Sequence, residues 1–182
     1  MDPAAQQQAD ADRAALRAEA QACYLQMLQT TRCFDTFCND MQAAVNELSQ
    51  YDVTRYLDVT LKCDYLKDLM RTATNQTAMF FNRWQDHPSP VITRYHINQI
   101  TLLLLQLRGH RNRIAELYLT RMDYDNPEPW DLEDNLNKHL TVLQDDVHRI
   151  FIFTGLQVRL TESDFEDAGL ISKKSSPAPQ EG

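Results

Sequence analysis

A chain of 182 residues with 18 Lys and Arg against 26 Asp and Glu carries a formal net charge of −8, so its averaged field repels a phosphate backbone and restricts nucleic-acid contact to a local or indirect one. Four glycines in the whole chain predict few, short connections and argue against Rossmann and P-loop nucleotide sites. No apolar run approaches bilayer length and the Asp-rich start lacks the basic and apolar regions of a secretion signal, so the expected protein is intracellular, not secreted and not membrane-bound.

Residues 1–9 are rich in Ala and Gln, include Pro3 and carry no apolar stripe; the expectation for them is disorder. From about Asp10 to Gln50 the pattern changes. Leu16, Ala20, Cys23, Met27, Thr30, Phe34, Phe37, Met41, Ala44 and Leu48 follow one another at alternating gaps of four and three, the spacing that places side chains along one seam of a helix. A single long helix is predicted here. At 1.5 Å per residue it spans about 60 Å, more than a compact bundle of this mass covers, so part of it is expected to project toward a partner.

A second helix is expected from near Tyr51, with Asp52 as cap. Its stripe is read as Val53, Leu57, Leu61, Tyr65 and Leu69, then Ala73, Thr77, Phe80 and Trp84. The change of gaps midway resembles a stutter. His87-Pro88-Ser89-Pro90 ends it, because each proline lacks an amide donor and pushes the preceding residue toward extended geometry.

The third helix, about Val91 to Met122, carries Ile97, Ile100, Leu103, Leu104, Leu107, Ile114, Leu117 and Tyr118. Its run Leu102 to Leu105 is apolar nearly all round and is expected at the buried centre of a bundle. Gly109 costs about 1 kcal/mol relative to alanine inside a helix and is read as allowing a neighbour to approach closely. After a breaker at Asp123 to Pro129, the fourth helix is expected over about Trp130 to Leu156 on Leu132, Leu136, Leu140, Leu143, Val147, Ile150 and Thr154. Ile150-Phe151-Ile152-Phe153 suits either a buried helix or a short strand; helix is the reading adopted. Residues 161–182 turn acidic, then Ser/Pro-rich, and are expected to be a disordered tail. The predicted fold is all-α: four long, mostly antiparallel helices forming one bundle domain over residues 10–160, with disordered termini.

No catalytic, metal or cofactor constellation emerges. Cys23, Cys33, Cys38 and Cys63 form no C-x-x-C pair, and the histidines at 87, 96, 110, 139 and 148 form no H-E-x-x-H motif, so the cysteines read as small core hydrophobes and the histidines as surface or satisfied core residues. Neither a cofactor nor a small-molecule substrate is expected. The candidate partner-binding residues are apolar anchors on the helix seams, Phe34, Phe37, Met41, Leu48, Phe80 and Trp84, and the cations Arg108, Arg111 and Arg113, suited to pairing with carboxylates of a neighbouring helix. Phe165 joins them, as an isolated aromatic in an acidic segment of the kind that docks into grooves.

Leu107-Arg108-Gly109-His110-Arg111-Asn112-Arg113-Ile114-Ala115-Glu116-Leu117-Tyr118 resembles the central helix of one subunit of the GINS replication-factor family. Phe37, Asp40, Val45 and Glu47 look like that subunit's early helix, and Leu140-Thr141 leading to Phe151 like a later one. The resemblance is discontinuous and covers about a third of the chain. The small β-rich domain of GINS subunits has no clear counterpart, and the first helix is longer than theirs. The resemblance implies a nuclear, non-catalytic subunit of a hetero-oligomer that bridges parts of the replicative helicase. Apart from it, the expected function is a scaffold that binds other protein subunits through coiled-coil-like interfaces. The alternatives are a cytoplasmic tether or kinetochore-type adaptor, and an enzyme whose site forms only on folding.

Overall fold

The computed structural model describes residues 2–48, 53–119 and 129–173, without the side chains of residues 48, 53–56 and 129–135. Its helices are α1 (Pro3–Leu48), α2 (Val53–Trp84), α3 (Pro90–Tyr118), α4 (Pro129–Arg159) and the short α5 (Glu162–Asp167), and the described residues contain no strand. Chain neighbours run antiparallel. Along α1·α2, Thr31 meets Thr74, Asn39 accepts from Lys67 and Gln42 reaches Thr60; along α3·α4, His96 faces Phe153 while His110 bonds Asp146.

The two hairpins then lie side by side, α1 against α3 and α2 against α4, while α2 and α3 barely touch. In these cross-hairpin pairs the helices run parallel: Lys62 and then Gln76 of α2 meet Asn137 and then Thr154 of α4. The mostly antiparallel expectation therefore holds within each hairpin, and the contacts between hairpins are parallel.

The seven-residue row of α1 is the spine of the core. Every member from Leu16 to Ala44 is at most 5% exposed, while the side chain of Leu48 lies outside the described residues. On α2 the buried row is Val59, Cys63, Leu66, Met70, Ala73, Thr77, Phe80 and Trp84, an unbroken alternation of four and three with no stutter. Leu57, Leu61 and Tyr65, read from sequence as the start of that row, stand 53%, 56% and 49% exposed. Two apolar rows share the first half of α2, and periodicity cannot say which faces inward; the row continuous with Phe80 and Trp84 does.

A similar correction applies to α3. Leu104 is buried and Leu103 partly so, but Leu102 and Leu105 are 57% and 52% exposed. The helix occupies a corner of the bundle, covered by α1 and α4 and open elsewhere, so an all-round apolar run cannot be buried all round. The α4 row from Leu136 to Thr154 is buried as expected, and the Ile150 to Phe153 stretch is helix.

Both ends depart from expected disorder. The first helix starts at Pro3: Asp2 accepts from the Ala4 N–H at 3.2 Å, and Gln6 and Gln8 donate one turn ahead to Asp10 and Asp12. A capping acid, proline in the first turn and good helix formers replace the missing stripe. With 46 residues the helix is about 69 Å long. Arg17 pairs with Asp86 at the end of α2, so residues 2–8, all exposed, run on beyond the α2–α3 joint.

At the other terminus Thr161 and Asp164 form a reciprocal capping box that starts α5. The Thr161 backbone and hydroxyl donors hold the Asp164 carboxyl below the usual carboxylate range. Gly169, at φ 74°, closes the helix in the left-handed conformation, with Leu170 N–H donating to the Phe165 carbonyl at 3.0 Å. Phe165 is 1% exposed and packs edge-on against Trp84 at 5.1 Å between ring centres, while Glu162 meets His87 at 3.1 Å. Residues 161–171 thus close the end of the bundle; residues 174–182 lie outside the described ones.

Phe34→Ala is expected to lower unfolding free energy by about 3–5 kcal/mol, the usual loss for a large buried aromatic, whereas Leu61→Ala should cost under about 1 kcal/mol. Urea titrations of both variants would check the contrast.

Candidate interaction surface

The candidates divide by position. Phe34, Phe37, Met41, Phe80, Trp84 and Phe165 are all at most 5% exposed, so the bundle itself covers the apolar area assigned to partners. Phe34 and Phe37 lie within 6.1 Å of each other on α1, and Phe80, Trp84 and Phe165 meet at the capped end. Arg108 and Arg111 are half-buried and Arg113 is exposed. These cations do not act as one patch: Arg111 lines a groove of about 390 Å³ against α1, with Arg32, Cys33, Thr36, Phe37, Asp40, Ala115 and Leu119, while Arg113 points away from it. Neither Arg108 nor Arg113 forms an ion pair among the described residues.

Apolar surface remains on the opposite faces of the same helices. Leu57, Leu61 and Tyr65 mark the outside of α2; Val91, Tyr95, Leu102 and Leu105 that of α3; Val142, Ile152 and Leu156 that of α4, each 37% to 57% exposed. On α3 the outer positions 91, 95, 98, 102, 105 and 109 repeat the gaps of four and three, filled by Val91, Tyr95, Asn98, Leu102, Leu105 and Gly109. Sequence reading missed this second row because it assigned the leucines of α3 to the core together; the doubled row was visible in the Leu102 to Leu105 run itself.

Titratable groups are tied into helix pairing. Asp146, 4% exposed, accepts from His110 Nδ1 at 2.5 Å across α3·α4. Cys38 and Cys63 adjoin in the α1·α2 core, and the contact between the two thiols, with burial, pushes the Cys38 pKa up, while the same contact lowers that of Cys63. Among the described residues no group of three or more His, Cys, Asp and Glu is placed to hold a metal ion, and no helix is long and apolar enough to cross a membrane.

The most perturbed histidine is His96, fully buried and stacked on Phe80 at 3.9 Å between ring centres, with Phe81 and Phe153 at 5.2 Å. Burial lowers its pKa to about 3, opposed only by the neighbouring Gln157 amide. Neither ring nitrogen makes a hydrogen bond of normal geometry, and Gln157 Oε1 and Trp84 Nε1 beside the same aromatic cluster are likewise unpartnered. This ring is a neutral core residue with a polarity that phenylalanine would lack.

The folded state binds the His96 proton more weakly than the unfolded chain, whose histidine titrates near 6.5. Stability is therefore fully present above pH 6.5 and falls as pH drops from there toward 3, with a limiting slope of about 1.4 kcal/mol per pH unit. Thermal melts of the wild type and His96→Leu between pH 6.5 and 4.5, above most carboxylate titration, should show a steeper loss in the wild type.

Set against known proteins, the chain matches no family model, no curated protein and no solved structure.

Proposed function

We propose that this chain is a non-catalytic helical subunit of a multiprotein assembly, a scaffold whose outer helix faces receive helices of partner subunits. The observation that supports this most is the doubled apolar pattern of α2. Its inner row from Val59 to Trp84 is buried in the bundle, yet Leu57 and Leu61 stand more than half exposed one face away. Burying two such leucines in an interface contributes about 1.5–3 kcal/mol each before the entropic cost of association. Flanking charges select the partner and its register.

Placement beside the replicative helicase, in the nucleus and in a hetero-oligomer, is the finer form of the proposal, supported by the α3 segment that resembles a GINS subunit. There Leu107, Ile114 and Tyr118 face the core, leaving Arg108 and Arg113 nearest to a partner. A cytoplasmic tether would use the same outer rows.

The test is affinity purification of the tagged full chain at native expression, alongside Leu57→Asp/Leu61→Asp. A stoichiometric partner that is recovered with the wild type and lost at least tenfold with the variant, at equal helicity by circular dichroism, supports scaffolding. Recovery of other GINS-type subunits supports the helicase placement. Absence of any stoichiometric partner, or one insensitive to the substitutions, overturns the reading.

A further inference from the structure

Residues 161–171 close one end of the bundle without joining its helix packing. α5 has six residues, too few to hold a helix by themselves, and it lies along no other helix. It is held by the Phe165 ring against Trp84 at 5.1 Å, by Glu162 against His87 at 3.1 Å and by the partly buried Leu170 and Ile171. The fit at this end is incomplete. Trp84 Nε1, both ring nitrogens of His96 and Gln157 Oε1 are buried without partners. A groove of about 540 Å³ also stays open between the segment and the α2–α3 joint, lined by His87, Pro88, Ser89, Glu162, Ile171 and Ser172. We propose that this end of the bundle is a docking socket for an acidic peptide with an aromatic anchor, supplied by a partner protein, and that residues 161–171 are its resident, autoinhibitory occupant.

The chemistry of the occupant is read from the resident. Glu162, Asp164, Glu166 and Asp167 give residues 161–171 four acids and no base, around the single aromatic Phe165, which is 1% exposed. The socket complements that pattern. Trp84 takes Phe165 edge-on, Arg83 lies over the Trp84 ring at 4.8 Å, and His87 adjoins the same ring at 5.3 Å between ring centres. Asp86, the acid of the joint, is paired with Arg17. An aromatic anchor in a pocket, with opposite charge at the rim, is the usual way a short segment docks.

Exchange follows from the way the segment is tied. A short segment with one buried anchor binds at about 10–100 µM when free. Leu160 and Thr161 alone separate α5 from α4, so the tethered segment meets the socket at an effective concentration of about 1 mM. The closed form then exceeds the open one by about 10- to 100-fold, and opening leaves the four long helices packed. A longer partner segment also reaches the groove beside Ile171 that the resident leaves empty, which lets it displace the strap.

The test is fluorescence anisotropy of a labelled peptide with the sequence of residues 161–171, titrated with the full chain. Phe165→Ala empties the anchor position and should bind the peptide at about 10–100 µM; the wild type should bind at least tenfold more weakly, because the resident competes. Replacing the peptide's phenylalanine by alanine should abolish binding, and replacing its acids by amides should weaken it at least threefold. Hydrogen exchange of the wild type at the Ala168 and Leu170 amides, both bonded within the strap, gives the same opening ratio independently. The two ratios should agree within about threefold. Should Phe165→Ala lose helicity, Glu162→Arg, which sets a cation against His87 and keeps the anchor, should raise peptide affinity over the wild type at least threefold. No binding to either variant, equal binding to the wild type and the variants, equal binding of the amide peptide, or strap amides as slow as those of Ile100 and Leu104 would overturn the proposal. The outer face of α2 takes no part in this contact, so the scaffold reading stands or falls separately.

Discussion

The bundle depends on one uninterrupted row of side chains. From Leu16 to Ala44 the core-facing positions of α1 hold to the seven-residue repeat, and this row contacts α2 on one side and α3 on the other. An ideal helix drifts about 20° per heptad against such a repeat, so keeping the row inward over four heptads requires the helices to coil gently around one another. That coiling lets α2 keep its own row from Val59 to Trp84 in register with α1. The polar members of the core conform to it: Thr31 and Thr74 bond each other at 2.8 Å between α1 and α2, and Thr74 and Thr77 return their protons to carbonyls one turn back.

Because a four-helix arrangement gives each helix two neighbours, about half of its circumference stays outside. A chain that is only a bundle fills that half with charge. Here the outside is mixed, with charges such as Asp58, Asp68 and Arg71 on α2 and Arg149 and Arg159 on α4 interspersed with the exposed Leu57, Leu61, Leu102, Leu105, Ile152 and Leu156. Exposed leucines scattered singly are normal on protein surfaces. Their arrangement here in helical rows distinguishes them and supports the association readings.

The helix borders were largely legible in the sequence. The heptad of α1, the proline joint and the α4 row are strong local signals, and each was found within a few residues of its position in the structure. Facing was less legible. When a helix carries two apolar rows, as α2 and α3 do, the sequence holds both solutions and only the neighbours choose between them; Phe34, Phe80 and Trp84, assigned both to the helix seams and to partner contact, are claimed by the core. Order at the ends was missed for another reason. The Asp2 cap and the Thr161 box are single hydrogen-bonding events without periodicity, and the burial of Phe165 depends on Trp84, distant in sequence. The charged candidates were placed on the right helix, but Arg111 and Arg113 point to different sides of it.

The side-by-side hairpins have a consequence for assembly of the fold itself. Contacts within each hairpin begin beside its turn, as Gln42 with Thr60 only 18 residues away, and spread outward from there, whereas Lys62 with Asn137 and Gln76 with Thr154 join positions 75 and 78 residues apart from the outset. Each half can therefore zip up by itself, and the slow event is the meeting of two preformed halves along a seam that no single turn brings together. The link between Trp84 and Pro90 holds the halves at high local concentration and adds the His87–Glu162 contact between them. A chain severed there retains every side chain the docking uses, so the two pieces would be expected to find each other again in solution, as separate polypeptides rebuilding one core.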